Sequence, residues 1–210
     1  MAKLFDYNNP VWRFMGKVAD MFFLTVLWAV FSLPIITVGA STKALYYVTL
    51  KMAGGKEGYL WQYFFQAFKE GLGQSVAVWL ILLTIGLFFG WDLYYYYHLR
   101  FPAAVVVFWL FFVLSIFYLF VLTMAFPLAA RLEAGVKKLF FLSFMVSLKN
   151  FSWVMLMIVA AVCIIAVGVF VFWPVLLFSA GTIAFVNSLI LEKVIFPRYG
   201  WEKIENAGGE

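Results

Sequence analysis

The chain has 210 residues, of which 66% are hydrophobic and only 12% charged, with a formal net charge of +5. A soluble domain carries about 25% charged and about 45–50% apolar residues, so a water-soluble fold of this size would leave much apolar surface uncovered. The composition therefore excludes an ordinary soluble domain and names lipid as the solvent. It also argues against nucleic acid as a partner, because Lys and Arg stand in short gaps between apolar runs, where they orient a chain at an anionic membrane surface.

The bilayer core is about 30 Å thick and takes about 20 helical residues to cross. The first charge-free run covers the 22 residues between Asp20 and Lys43. It reads in two ways. Residues 21–39 form a single span with the N-terminus outside, or Met21–Leu33 crosses, Pro34 to Ser41 turns and Thr42–Met52 returns. A single span leaves 11 Lys and Arg in the cytoplasm and four outside, whereas the hairpin leaves 13 inside and only Lys43 and Arg100 outside. The positive-inside rule prefers the hairpin. That choice requires a short second helix with Lys43 near its outer end. Val38-Gly39-Ala40 imitates a signal-cleavage site, but Asp6 and Asp20 precede the apolar run and Pro34 interrupts it, so the segment is expected to stay.

Gly54-Gly55-Lys56 has neither the spacing nor the preceding strand of a phosphate-binding loop and reads as the turn that ends the second helix. Tyr63 to Lys69 follows, with Phe64, Phe65 and Phe68 at positions that share one helical face and polar residues over much of the rest. This is the pattern of a helix lying in the cytoplasmic interface. The next gaps, 21 residues between Glu70 and Asp92 and 30 between Arg100 and Arg131, predict helices near 74–97 and 102–130. Between them Trp91 and the Tyr94–Tyr97 run form an outer aromatic belt, with His98, the single histidine, in the connecting loop. Phe126-Pro127-Leu128-Ala129-Ala130-Arg131-Leu132-Glu133 closes the fourth helix. Pro127 frees a carbonyl near the boundary, and Arg131 and Glu133 are placed to anchor to headgroups or dock a partner.

A second Phe-Phe-x-x-Phe unit follows, Phe140, Phe141 and Phe144, again just before an apolar run. That run holds 42 residues between Lys149 and Glu192. As one helix it would extend about 63 Å, so it must turn, and Trp173-Pro174 is the place. Two helices near 151–172 and 175–191 result. Asn187-Ser188 lies within the last of them, where a polar pair bonds a neighbouring helix or contacts a substrate. Cys163 is a lone cysteine in an apolar run and behaves as a small hydrophobe.

The expected architecture is all-α: a single integral membrane domain, residues 1–210, of six transmembrane helices in three hairpins with both termini cytoplasmic. Each hairpin is preceded by an interfacial amphipathic helix, the first such copy being the looser Val11 to Lys17. The repeat-like units are about 8–53, 57–130 and 134–191, and 192–210 is a short cytoplasmic tail. Neither a catalytic acid–base pair nor a metal-ligand cluster is visible in the sequence. The chain is accordingly read as non-enzymatic, with no cofactor and with membrane lipid as its first partner.

Tyr7-Asn8-Asn9-Pro10-Val11-Trp12, Ser32-Leu33-Pro34-Ile35-Ile36-Thr37-Val38-Gly39-Ala40-Ser41, Ala44-Leu45-Tyr46-Tyr47, Phe126 to Arg131 and Asn187-Ser188-Leu189-Ile190 together resemble the YesL family of bacterial membrane proteins. The stretch from Leu33 to Ser41, with Pro34, Thr37, Gly39 and Ser41, is its most specific part. The resemblance covers nearly the whole chain. It implies a bacterial plasma-membrane protein, encoded beside carbohydrate ABC importers and polysaccharide-degrading enzymes, that assists sugar uptake with importer permease subunits as partners. It transfers no catalytic residue.

Overall fold

Runs without charge become helix nearly throughout, because lipid offers no partner for an unpaired backbone amide or carbonyl and a helix satisfies both within itself. The computed structural model describes residues 10–55, 59–99, 102–132, 134–170 and 173–201. Its elements are α1 (Pro10–Phe31), α2 (Val38–Ala53), α3 (Leu60–Lys69), α4 (Leu72–His98), α5 (Pro102–Arg131), α6 (Val136–Lys149), α7 (Phe151–Phe170), α8 (Leu176–Ile190) and the short α9 (Phe196–Tyr199). A turn of 3-10 helix precedes α2 at Ile35–Thr37, another precedes α8 at Trp173–Val175, and one π turn, Leu191–Ile195, joins α8 to α9. Among the described residues four helices are long and apolar enough to cross a membrane: 72–98, 104–131, 151–170 and 176–199. The chain is thus an all-helical, multi-pass membrane protein.

The long helices show their apolar side chains outward. Phe88, Trp109, Leu110, Val162 and Phe170 are all more than half exposed, as the lipid-facing surface of a bundle must be. α4 and α5 pack antiparallel along their length. Gln74 donates to the Ala134 carbonyl at one end, Trp79 lies against Phe126, the Tyr118 hydroxyl donates to the Leu82 carbonyl at 2.9 Å, and Tyr97 meets Phe108 near the other end. Trp91, Tyr94, Tyr95 and Tyr97 are exposed at that far end, where the aromatic belt was expected. α8 runs on through the π turn to Tyr199, beyond the expected limit at 191, because Leu191, Ile195 and Phe196 are fully buried.

The N-terminal segment departs from the six-helix expectation. α2 has only 16 residues, about 24 Å of helix, too short for the bilayer core. Both its ends also meet the same end of the α4–α5 pair. Gly39 at its start abuts Ser75 and Trp79, in the first turns of α4, and Lys43 donates to the Glu70 carbonyl at 2.8 Å. Gly54 at its close lies beside Glu192, which pairs with Arg131 at the end of α5. The helix expected to return across the membrane therefore lies across the end of the bundle. α1, in turn, runs parallel to α8. Phe22 packs on Phe178 at 5.1 Å, and three residues further along each helix the Gly181 amide donates to Thr25 Oγ1 at 2.9 Å. Charge counting missed this because Lys43 is held by a backbone carbonyl at the elbow rather than by the outer interface.

Glycine permits the two closest crossings. A Cβ on Gly39 would collide with the Trp79 side chain and sit 2.6 Å from the Ser75 carbonyl oxygen, and one on Gly181 would collide with the Met21 carbonyl. Gly39→Ala and Gly181→Ala are each expected to destabilise the protein by about 1–3 kcal/mol through overpacking against backbone, while Gly73→Ala, with open space around it, is neutral. Thermal unfolding in a mild detergent checks this; equal melting of all three variants removes the close crossings from the account.

Candidate functional site: a buried polar seam and an exposed elbow helix

The Leu33–Ser41 motif builds the turn between α1 and α2. Pro34 is exposed, with extended backbone, and starts the turn. The Thr37 hydroxyl lies 2.7 Å from the Phe31 carbonyl oxygen and 2.8 Å from that of Pro34, tying the end of α1 to the turn. Ser41 is fully buried and donates to the Thr37 carbonyl at 3.1 Å. From the neighbouring helices, Trp79 Nε1 donates to the Ile35 carbonyl at 2.7 Å and Trp28 Nε1 donates to Thr42 Oγ1 at 3.1 Å. The most specific stretch of the sequence thus spends its polar groups on the break in the chain, where backbone groups lack helical partners.

A polar seam joins α1, α2 and α8. Thr25 meets Gly181, Asn187 Nδ2 donates to the Tyr46 hydroxyl at 3.1 Å, and Thr49 and Ser188 share a hydrogen bond at 2.8 Å. Tyr46, Thr49, Asn187 and Ser188 are all buried. Such bonds hold helices together where the hydrophobic effect cannot. Asn187 Oδ1 has no hydrogen-bond partner in the structure. Asn187 was singled out from the sequence; Thr25, Tyr46, Thr49 and Gly181 were not. Their signal is the stripe Gly181, Ala184, Ser188, three and four residues apart on one face of α8, which brings another backbone close.

Arg131 and Glu192 form a largely buried ion pair at 3.3 Å, 13% and 14% exposed, with the guanidinium 5.2 Å from the Phe196 ring centre. Pro127 sits inside α5 one turn before Arg131. The π turn carries Glu192, and the short helix after it is held by Asn150, which donates from Nδ2 to the Tyr199 hydroxyl at 3.0 Å and accepts from Arg198 at 3.2 Å. Arg131 is therefore an internal anchor between α5 and the end of α8. Glu133 lies outside the described residues.

The two Phe-rich elbows form helices but differ in what they bury. In α3, Phe64 is fully buried, and Phe65 and Phe68 each pack on Phe31 at 5.1 Å. In α6 the buried stripe is Leu139, Ser143, Val146 and Ser147, and Ser147 donates to the Phe120 carbonyl at 3.0 Å. Phe140 is half-buried, Phe144 is exposed at the edge of a groove, and Phe141, at 61% exposure, stands with Met145 and Leu148 on the outward face. Lys138 and Lys149 share that face, one and two helical steps round from Phe141. The third copy, Val11 to Lys17, is no separate elbow, since the chain is continuous helix from Pro10 into α1. Among the described residues no group of three or more His, Cys, Asp or Glu converges.

The profile of the family described as protein of unknown function DUF624 matches residues 21–93, the stretch from α1 through most of α4. The protein YesL of Bacillus subtilis (strain 168), itself described as uncharacterised, is 26% identical over 203 residues, covering 95% of this chain and 94% of that one. No solved structure matches the chain.

Removing one partner of the Arg131–Glu192 pair takes a charge-assisted hydrogen bond from the other in a poorly solvated place. Arg131→Met is expected to lower stability by about 1–3 kcal/mol, discounted from the fully buried case for the residual exposure, and Arg131→Met with Glu192→Met together to recover most of that loss. A double-mutant cycle on detergent unfolding measures the coupling; additive single losses mean that the pair does not hold α5 to α8.

Proposed function

From the match to the DUF624 profile over residues 21–93 and the 26% identity to YesL we propose that the chain is a non-enzymatic accessory component of carbohydrate uptake in the bacterial plasma membrane, docking on importer permease subunits through α6. The observation that supports this reading is the contrast between the elbows. α3 spends Phe64, Phe65 and Phe68 on its own chain, while α6 leaves Phe141, Met145 and Leu148 uncovered between lysines. An apolar centre rimmed by charge is the anatomy of a docking face. The carbohydrate link rests on the family resemblance. Tagged protein purified in mild detergent is expected to carry importer permease, and Phe141→Ala with Leu148→Ala to reduce the recovered permease about tenfold. Recovery unchanged by the variants rules out this face; no permease at all, with growth on oligosaccharides unaltered by deletion, rules out the uptake role.

A second reading gives the same basic face to anionic lipid headgroups or a signalling partner, and Lys138 and Lys149 beside Phe141 favour it. On that reading a fluorophore at Phe141→Cys in proteoliposomes shifts as the anionic lipid fraction rises, and salt weakens the shift.

The proposed topology has the elbows and the C-terminal end in the cytoplasm and α1 as a fifth span whose N-terminus lies outside. Two features support it: α1 runs parallel to α8, and 11 of the 15 Lys and Arg still fall on the elbow side. In a background where Cys163 is replaced, Met15→Cys is expected to react with an impermeant thiol reagent from outside and Lys138→Cys to be shielded. Shielding at both positions restores the arrangement with both termini inside.

A further inference from the structure

A groove of about 330 Å³ opens to the outside between α4, α5 and α6, lined by Leu82, Phe89, Leu114, Tyr118, Phe140 and Phe144 among others. Its walls offer no free polar group: the Tyr118 hydroxyl is spent on the Leu82 carbonyl, across the groove wall itself. Such a trough takes a flexible hydrocarbon chain and nothing that needs a hydrogen bond. One end of it is different. Lys137 precedes Phe140 by three residues and Phe144 by seven, so it lies on the same side of α6, one turn from the lining residue Phe140 toward the start of the helix, and it is exposed. That first turn contains no acidic residue, and its cap is Gly135, which has no side chain to satisfy the leading amides. A helix N-terminus with an uncapped first turn and a lysine favours an anion.

We propose that this groove is a binding site for one anionic phospholipid, with an acyl chain along α4 and α5 over Phe140 and Phe144 and the phosphate at Lys137 and the start of α6. The occupant follows from the pairing of a wholly apolar trough with a cation one turn beyond it, the two halves of a phospholipid. Lys137 stands one turn before Phe141 as well, so the site borders the outward face of α6, but it does not depend on the uptake reading or on which side of the membrane the elbows lie.

The test uses the full chain purified in mild detergent with phosphatidylglycerol or phosphatidylethanolamine of identical acyl chains, and native mass spectrometry to count retained lipid. One phosphatidylglycerol per chain is expected, held in preference to phosphatidylethanolamine. Lys137→Glu should reduce its retention about fivefold or more, and Leu114→Trp, at an exposed wall position, should reduce it comparably by filling the trough. Lys69→Glu, which carries the same charge change at an exposed position on α3, should leave it unchanged. Unaltered melting of the three variants shows that the fold is intact. Equal retention of both lipids, insensitive to Lys137→Glu and Leu114→Trp, means annular lipid only and overturns the site. Loss with Lys69→Glu as large as with Lys137→Glu assigns the effect to diffuse charge and overturns it equally.

Discussion

The rest of the fold depends on how closely α2 can approach its neighbours. In lipid, apolar side chains gain nothing by leaving the solvent, so helices stay together through close packing and hydrogen bonds. α2 meets both conditions from a position in the middle of everything. Gly39 lets it press against Ser75 and Trp79 of α4, Tyr46 and Thr49 bond Asn187 and Ser188 of α8, and Trp28 of α1 donates to Thr42. Ala40, Ala44 and Val48 are buried along it. A larger residue at position 39 would push α4 away, and the elbow, the turn and the α8 seam would lose their common support.

That central role explains the use of the Leu33–Ser41 motif. A helix that turns from along the bundle to across it breaks the hydrogen-bond ladder inside an apolar environment, where each unpaired carbonyl costs several kcal/mol. Thr37 and Trp79 supply the missing partners, donating to the carbonyls of Phe31, Pro34 and Ile35. The motif is a structural device for a broken helix, and the chemistry of Pro34, Thr37, Gly39 and Ser41 is accounted for by the fold.

The two elbows carry the same Phe-Phe-x-x-Phe pattern and have different fates for a geometric reason. α3 packs back along α2 beneath Phe31, so its aromatic face closes on the chain. α6 packs back along α5, burying the stripe of Ser143 and Ser147, with small side chains that let it sit close to the Phe120 backbone. Its aromatic residues are rotated out of that contact, some over the α4–α5 groove and some toward the surroundings. Helical periodicity puts Phe140, Phe141 and Phe144 on neighbouring positions but says nothing about which neighbouring helix they face.

Residue chemistry and spacing by themselves determined that the chain is helical and embedded in a membrane, where α4, α5 and α7 begin and end and where α8 begins to within a few residues, that Trp173-Pro174 is a turn, and that two amphipathic helices separate the long ones. These features follow from local rules: the length of an apolar run, the backbone effect of proline and the 3.6-residue period. The tertiary structure alone decided that α2 lies across the bundle, that α1 runs parallel to α8, that Arg131 pairs with Glu192, and that one Phe-rich elbow is closed while the other is open. Each of these is a contact between residues far apart in the chain. Lys43 shows why they were not legible: a lone lysine after an apolar run marks a membrane boundary only if no carbonyl from another segment is there to accept its protons, and the carbonyl of Glu70 arrives from 27 residues away.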